Sequence, residues 1–126
     1  MQQSDRPGAS GRDVGKQGGT TASDLRGVLR LRALESAMAK RAAGVPSYSV
    51  PEAAVLMSIS QEYLYRLIQS DEFPAVHMRA GTGQGRYVVP ALAVDQLLKA
   101  AVDTGRRIES AEFTAQWNAR TSGGAA

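Results

Sequence analysis

The sequence of 126 residues contains no cysteine and one histidine, His77. Without thiolates it can form neither a disulfide framework nor a cysteine metal site, and one imidazole cannot make a histidine cluster. No segment approaches the roughly 20 consecutive apolar residues of a membrane-spanning helix, and residues 1–20 lack the apolar stretch of a signal peptide. We therefore expect a cytoplasmic protein that needs no metal or other cofactor and does not bind membranes.

Residue patterns that would support catalysis are also missing. No nucleophile is paired with a base, and His77 is predicted to be a packed or edge residue of a strand. The glycine-rich run 81–85 precedes a predicted strand instead of the helix that a phosphate-binding loop requires. Residues 11–16 read G-x-x-x-G-K, one residue short of the P-loop spacing, and Gln17 stands where Ser or Thr would hold magnesium. We therefore expect no enzymatic activity.

Length and charge predict one domain with a basic extension. A chain of this length has room for a single compact core plus tails. The formal net charge is +3; residues 1–44 carry eight Lys and Arg against four Asp and Glu, whereas residues 45–100 carry four against five. The excess positive charge thus precedes the expected core, where it would attract a polyanion without reading its sequence.

The first 44 residues divide into two segments. Residues 1–22 have almost no large apolar side chain, which predicts a disordered basic arm. Residues 23–44 are predicted to form an amphipathic helix that Ser23 caps and that Gly44 and Pro46 end. Its apolar residues recur near helical spacing and are Leu25, Val28, Leu29, Leu31, Leu34 and Met38. We favour packing of these side chains on the domain or on another copy, with the arginines in solvent, over binding of DNA backbone or membrane.

Residues 49–70 have the pattern of two short helices joined by a tight turn. Ser49 and Glu52 form a capping-box pattern at the start of the first helix, with Pro51 in its first turn. The turn is predicted at residues 58–60, where Ile59 would be buried and Ser60 would cap the second helix, residues 61–70. The inner face of the second helix would consist of Leu64, Leu67 and Ile68.

The outer face of this second helix carries side chains suited to DNA. They are Gln61, Glu62, Tyr65, Arg66 and Gln69. A Gln amide or an Arg guanidinium can bond two atoms of one base, a Tyr hydroxyl can donate to phosphate, and a Glu carboxylate can accept from cytosine. Because Glu62 would repel phosphates, it must either point into the groove or pair with Arg66, four residues on. Two short helices joined in this way typically place the second one in the major groove.

The remaining third predicts a hairpin and two more helices. Residues 73–79 and 86–89 favour strands and flank a glycine-rich loop, so we expect a β-hairpin wing. Pro90 would open a third helix and Gly105 would end it. Its predicted inner residues are Leu92, Val94, Leu97, Leu98, Ala101 and Val102. Residues 104–126 would form a short helix, sealed on the core by Phe113 and Trp117, and a tail that frays from Thr121.

In combination these residues resemble the excisionase type of MerR-related winged helix-turn-helix domain. The resemblance spans Tyr48 to Lys99 and rests on Ser49, Glu52, Ala53, Ala54, Leu56, Ile59, Ser60, Tyr65, Arg66, Leu67, Ile68, Phe73, Pro74, Ala75, Arg86, Tyr87 and Pro90. It implies a mainly α fold with a small β-hairpin wing at residues 47–103, preceded by the amphipathic helix and the arm. The residues that it implies to face DNA are Gln61, Glu62, Tyr65 and Arg66, with Arg79 and Arg86 of the wing on backbone or minor groove.

The sequence departs from the family pattern in three places. Ser58 replaces the usual turn glycine, and Asp71 replaces the glycine after the second helix. Both positions require a left-handed backbone, which Ser and Asp adopt at some energetic cost. Residues 82–84 at the tip of the wing contain fewer arginines than is usual in the family. We therefore expect modest DNA affinity from a single copy.

The resemblance implies three alternative functions. The first is an excisionase-like factor of a phage or integrative element, which bends DNA at repeated sites and steers an integrase. The second is a transcriptional regulator, and the third is a small terminase subunit. MerR regulators continue into a long dimerising coiled coil that this sequence lacks, and residues 23–43 alone would supply the oligomerisation that a terminase needs. We favour the first, with double-stranded DNA, an integrase and self-association on DNA as the expected partners.

Overall fold

The computed structural model describes residues 21–125, with side chains as far as Arg120. The arm predicted at residues 1–22 therefore lies outside the described residues except for its last two. The described elements are α1 (Ala22–Ala43), β1 (Ser47–Ser49), α2 (Val50–Leu56), α3 (Gln61–Gln69), β2 (Val76–Met78), β3 (Arg86–Pro90), α4 (Ala91–Thr104) and α5 (Ser110–Ala125). None of these helices is long and apolar enough to cross a membrane.

Helix α1 begins earlier than the sequence pattern predicts. The Thr21 hydroxyl accepts a hydrogen bond from the Asp24 amide at 3.1 Å, and the Thr21 amide donates to the Asp24 carboxylate at 3.4 Å. This reciprocal cap makes Thr21 the cap residue, so the prediction of Ser23 was wrong. At the other end Gly44 adopts φ 73°, and the Val45 amide donates to the Lys40 carbonyl at 2.9 Å, which confirms the predicted stop.

The chain divides into two compact units within α1. The first ends at Arg32, and the second begins at Ala33 and contains all later elements. In the second unit α1 packs through Ala37, which is fully buried, whereas Leu34 is 37% and Met38 52% exposed. Of the two predicted alternatives, packing on the domain is therefore wrong for these two side chains, and packing on another copy stays a prediction. In the first unit the exposed apolar residues of α1 are Leu25, Val28, Leu29 and Leu31.

The sheet has three antiparallel strands in the order β1-β3-β2, where a two-stranded hairpin was predicted. Strand β1 is the addition, and its Tyr48 lies opposite Val89 of β3. The predicted strand 73–79 is shorter in the structure, Val76–Met78, and Phe73 lies before it in the core, 3% exposed. The main core consists of Tyr48, Val50, Ala53, Ala54, Leu64, Ile68, Phe73, Val89 and Val94. Ile59 packs against this cluster but is half-buried, less than predicted.

Helix α4 turns a different face to the core than predicted. Ala93 and Val94 are buried and Leu97 is half-buried. Of the residues predicted to be inside, those that lie outside are Leu92 (59% exposed), Leu98 (47%) and Val102 (80%), together with Ala101. The helix is apolar on most of its circumference, so periodicity alone does not choose the buried side. Gly105 ends it with φ 65°, as predicted.

Helix α5 is longer than predicted. It continues to Ala125, so residues 121–125 are helical where a frayed tail was expected. Phe113 and Trp117 lie one turn apart with ring centroids separated by 5.9 Å, and both are half-buried. Thr114 is the buried residue of this helix, and its hydroxyl donates to the Ser110 carbonyl at 2.8 Å. The buried hydroxyl is therefore satisfied within its own helix.

A buried carboxylate joins α1 to α2. Glu52 is 6% exposed; it accepts a hydrogen bond from Lys40 at 2.7 Å, from the Ser49 amide at 2.8 Å, and from the Ser36 hydroxyl. The Ser49 side chain in turn accepts from the Glu52 amide, which confirms the predicted capping box. Burial alone would raise the pKa of Glu52, but the hydrogen bonds from Lys40, Ser36 and Ser49 outweigh it and lower the pKa to about 2.

We predict that Glu52→Gln destabilises the fold by about 1–3 kcal/mol, because it leaves Lys40 without its partner and weakens the cap. The folded pKa lies below the ordinary value of 4.5, so the stabilisation is present above pH 4.5 and is lost as the pH falls toward 2. Urea unfolding of wild type and variant between pH 2 and 7 measures this. The difference between the two free energies of unfolding should shrink as the pH falls from 4.5 toward 2. The exposed Glu35→Gln is the matched control, and an equal effect there would contradict the prediction.

Candidate nucleic-acid interface

The turn between α2 and α3 is closed by backbone hydrogen bonds. After Leu56 the Ile59 amide donates to the Ala54 carbonyl at 3.0 Å, which reverses the chain. Ser58 adopts φ 62°, the left-handed conformation predicted for the residue that replaces glycine. Ser60 then caps α3, and its hydroxyl accepts from the Tyr63 amide at 3.1 Å. Both predictions for this turn are confirmed.

Helix α3 has a buried side and a polar exposed side, as predicted. Leu64 is fully buried and Ile68 is 6% exposed. The exposed residues include the five predicted to face DNA, namely Gln61, Glu62, Tyr65, Arg66 and Gln69. The chain leaves α3 through Asp71 at φ 59°, which confirms the predicted left-handed position. The core contacts of Leu64 and Ile68 thus hold one polar face of α3 toward solvent.

The charged groups of this face are arranged differently from the prediction. The Arg66 guanidinium carbon lies 5.6 Å from the centroid of the Tyr63 ring, a cation–π contact between residues three apart. Among the residues that the structure describes, Glu62 has no ion-pair partner, so the Glu62–Arg66 pair is not formed. Tyr63 is 47% exposed and was missed by the sequence analysis. Its i, i+3 spacing to Arg66 is the signal that would have found it.

The wing is built by β2, β3 and the loop between them. The loop contains a turn in which the Gly83 amide donates to the Ala80 carbonyl at 3.1 Å, with Gly81 at φ 59°. Arg79 and Arg86 flank this loop and are exposed. Strand alternation places Arg86 on the opposite side of the sheet from Tyr87, the next residue. The structure thus brings both predicted arginines to the base of the loop.

Three aromatic rings connect α3 to the wing. The Tyr65 and Tyr87 rings meet edge to face, with centroids 5.7 Å apart and an interplanar angle of 76°. Tyr87 also stacks on His77, with centroids 4.5 Å apart and an angle of 23°. His77 lies on the edge strand β2, which confirms the prediction that it is a strand residue at an edge. Tyr87 therefore contacts both the exposed face of α3 and the neighbouring strand.

The net positive charge is not in the unit that contains α3. From residue 33 onward the chain has nine Lys and Arg and nine Asp and Glu, so the whole +3 belongs to residues 1–32. Within the second unit an exposed ion pair joins Arg41 to Asp95 at 2.9 Å, and Arg41 also donates to the Tyr48 hydroxyl at 3.1 Å. These hydrogen bonds raise the pKa of Arg41 above its ordinary value.

Two other kinds of site, a groove and a cluster of acidic side chains, are less convincing candidates for a functional site. A groove of about 500 Å³ is lined by Gln96, Lys99, Ala100, Asp103, Phe113, Gln116 and Arg120 of α4 and α5. It is open, it is lined by polar and apolar groups in similar measure, and Arg120 spans it to Gln96 at 3.4 Å. Within residues 21–125 no group of three His, Asp or Glu side chains lies close enough to hold a metal ion. The exposed face of α3 and the wing remain the candidate site.

Comparison with known proteins agrees with this geometry. Residues 47–102 match a family described as a helix-turn-helix domain. The matched segment begins at β1, contains α2, the turn, α3 and the wing, and ends two residues before the end of α4. No curated protein and no solved structure matches the chain significantly. The match supports a DNA-binding helix-turn-helix domain at residues 47–102, and the three-stranded sheet of the structure is consistent with a winged form of it.

We predict that Ser58→Gly stabilises the protein by about 0.5–1 kcal/mol. A left-handed non-glycine residue costs roughly 1–2 kcal/mol, and the greater freedom of glycine in the unfolded chain cancels part of the gain. Thermal and urea unfolding measure it. Ser60→Gly is the contrasting variant: Ser60 has an extended backbone, so glycine relieves no strain there, and loss of the cap on α3 should lower the stability. A lower stability of Ser58→Gly would contradict the prediction.

Proposed function

We propose that this protein is a sequence-specific binder of double-stranded DNA that belongs to the excisionase type of MerR-related winged helix-turn-helix proteins. In this proposal it is an accessory factor of a phage or integrative element, which bends DNA beside an attachment site and directs an integrase. The observation that carries the proposal is the exposed polar face of α3, held outward by buried Leu64 and Ile68.

In the proposed complex α3 lies in the major groove. The Arg66 guanidinium would bond the O6 and N7 atoms of a guanine, and the Gln61 amide would bond the N6 and N7 atoms of an adenine. The Tyr65 hydroxyl would donate to a phosphate oxygen and fix the register of the helix on the duplex. The contact of Arg66 with Tyr63 supports this assignment, because it holds the guanidinium without neutralising its charge.

Two further residues of α3 complete the base-facing surface. Glu62 is on the exposed side in the first turn, and its carboxylate would accept from a cytosine amino group. The absence of an ion-pair partner among the described residues supports a role inside the groove, where it avoids the phosphates. Gln69 is in the last turn of the same helix and would bond a base edge or the adjoining backbone.

The wing would add contacts outside the major groove. Arg79 and Arg86 flank the loop of the wing and are exposed, so each can approach a phosphate or the minor groove. With Arg66 they make three cations on the proposed surface. Each phosphate contact contributes a salt-dependence slope of about 0.9, so one copy would bind weakly. Useful occupancy would therefore require several copies on neighbouring sites.

Two features of the chain support assembly on DNA. The net charge of residues 1–32 would attract the duplex without regard to sequence. The exposed apolar residues of α1 would support contact between copies, since exposed apolar rows of this kind are typical of interaction surfaces. In this proposal the bent nucleoprotein complex is the product, and an integrase performs the cleavage and joining.

We predict that Arg66→Ala weakens binding to a site enriched from random DNA by about 1–3 kcal/mol and relaxes the preference at one base pair. Fluorescence anisotropy on the selected site and its single-base variants measures both effects. Tyr65→Phe should instead weaken binding to all sequences alike, because it removes a phosphate contact. Arg106→Ala removes the same charge from an exposed loop outside the surface and should leave the preference unchanged. Unaltered affinity in Arg66→Ala would contradict the placement of α3.

We also predict cooperative binding to two or more closely spaced sites and bent DNA in the complex. Circular-permutation gel shifts on DNA with one and with two selected sites measure both. The complex with two sites should form at a lower protein concentration and migrate in a position-dependent way. A tight complex on one site with unbent DNA would contradict the architectural role and favour a simple repressor.

A further inference from the structure

We propose that His77 and Tyr87 are positioning residues that set the direction of the wing relative to α3, through the ring ladder Tyr65–Tyr87–His77. The inference rests on the proposed function, since its consequence is the simultaneous placement of α3 and the wing on one duplex. The ladder joins the exposed face of α3 to both strands of the wing.

The sheet register places the two rings of the wing side by side. His77 of β2 lies directly opposite Tyr87 of β3 in an antiparallel pair. Residues directly opposite each other put their side chains on the same side of the sheet. Val89, two residues after Tyr87, is fully buried, so this is the side that faces the core. The ladder therefore continues the core-facing side chains of β3 past the edge of the core and connects them to α3.

Gly85 makes room for the His77 ring. A Cβ atom added at Gly85 would overlap the imidazole, lying 2.7 Å from Cδ2 and 3.0 Å from Cε1. Gly44, Gly81 and Gly105 are the described glycines with a positive φ, so Gly85 has no backbone need to be glycine. The imidazole thus stacks on the Tyr87 ring and lies close to the Gly85 backbone. A side chain at position 85 would displace it.

The wing is anchored at its base, where β3 pairs with β1 and Val89 is buried, but its outer strand has little other packing. Strand β2 has three residues and forms an edge of the sheet. On its other side Val76 is 49% and Met78 59% exposed, so packing there does not fix the strand. A short edge strand of this kind can bend about its hydrogen bonds. The ring contact with α3 is what gives the wing a defined angle, and that angle decides whether Arg79 reaches a phosphate when α3 is in the groove.

The test compares variants that move the ring in independent ways. His77→Ala removes the ring, Gly85→Ala pushes it off Tyr87, and His77→Phe keeps a ring of similar size without its nitrogens. Val76→Ala, on the same strand with its side chain on the opposite side, is the control. Anisotropy titrations on the selected DNA at several salt concentrations give affinity and salt slope, and thermal unfolding shows that each variant is folded.

We expect His77→Ala and Gly85→Ala each to weaken binding about 3- to 10-fold, the contribution of one aromatic pair. Each should also lower the salt slope by about 1, because Arg79 loses its phosphate. The double variant should be no weaker than His77→Ala alone, since Gly85→Ala acts through the ring. His77→Phe should bind like wild type. Additive losses, or a loss in His77→Phe as large as in His77→Ala, would overturn the proposal; the second result would make His77 a direct DNA contact.

A measurement without DNA separates this inference from the proposed function. Amide hydrogen exchange of the free protein should become faster in residues 76–78 and 86–88 for His77→Ala and Gly85→Ala, and stay unchanged for His77→Phe and in α3. Equal protection in all variants would refute the ladder even if the protein binds DNA. Faster exchange in a protein that binds no DNA would uphold the ladder as a positioning device and refute the proposed function.

Discussion

The Glu52 carboxylate accepts hydrogen bonds from the Lys40 and Ser36 side chains of α1 and from the Ser49 amide at the start of α2. It is buried, so each of these bonds offsets a desolvation cost that would otherwise favour the neutral acid. The same residue closes the capping box and thereby fixes where α2 begins. The position of α2 determines the turn, and the turn determines the direction of α3. The exposed polar face thus depends on a carboxylate that does not belong to it.

This constraint also changes the role of α1. Its second half belongs to the unit that contains the helix-turn-helix, with Ala37 buried and Lys40 and Arg41 bonded to Glu52 and Asp95. A boundary placed at residue 44 or 47 would remove these partners. The helix is therefore structural in its second half, and in its first half it exposes a row of apolar side chains beside Arg26, Arg30 and Arg32. The segment that the sequence motif marks is smaller than the compact unit that contains it.

The helix-turn-helix domain has strained positions at both ends of α3. Ser58 and Asp71 adopt left-handed backbone angles that glycine adopts more easily. Helix α3 lies between these two positions, and the core contacts of Leu64 and Ile68 hold it in place. These contacts offset the cost of the strained backbone at either end. The net positive charge of the protein lies outside this domain, because the formal charges of the residues from 33 onward sum to zero. The excess positive charge and the exposed polar face of α3 thus belong to different parts of the chain.

Features encoded by neighbouring residues could be predicted from the sequence. The Ser49–Glu52 cap, the Ser60 cap and the inward Leu64 and Ile68 depend on backbone geometry over three or four residues, which the sequence alone determines. The left-handed backbone at Ser58 was instead predicted from the family resemblance, in which glycine is usual at that position.

Features that depend on distant residues could not be predicted in this way. Strand β1 exists because β3 lies beside it, and the buried side of α4 was decided by the sheet, since the helix is apolar on most of its circumference. The Tyr65–Tyr87–His77 ladder joins residues ten or more positions apart, and helical or strand periods do not relate such positions. Local hydrogen bonding therefore determined the helix-turn-helix. Side-chain packing between distant segments decided how β1, α4 and the wing are arranged around it.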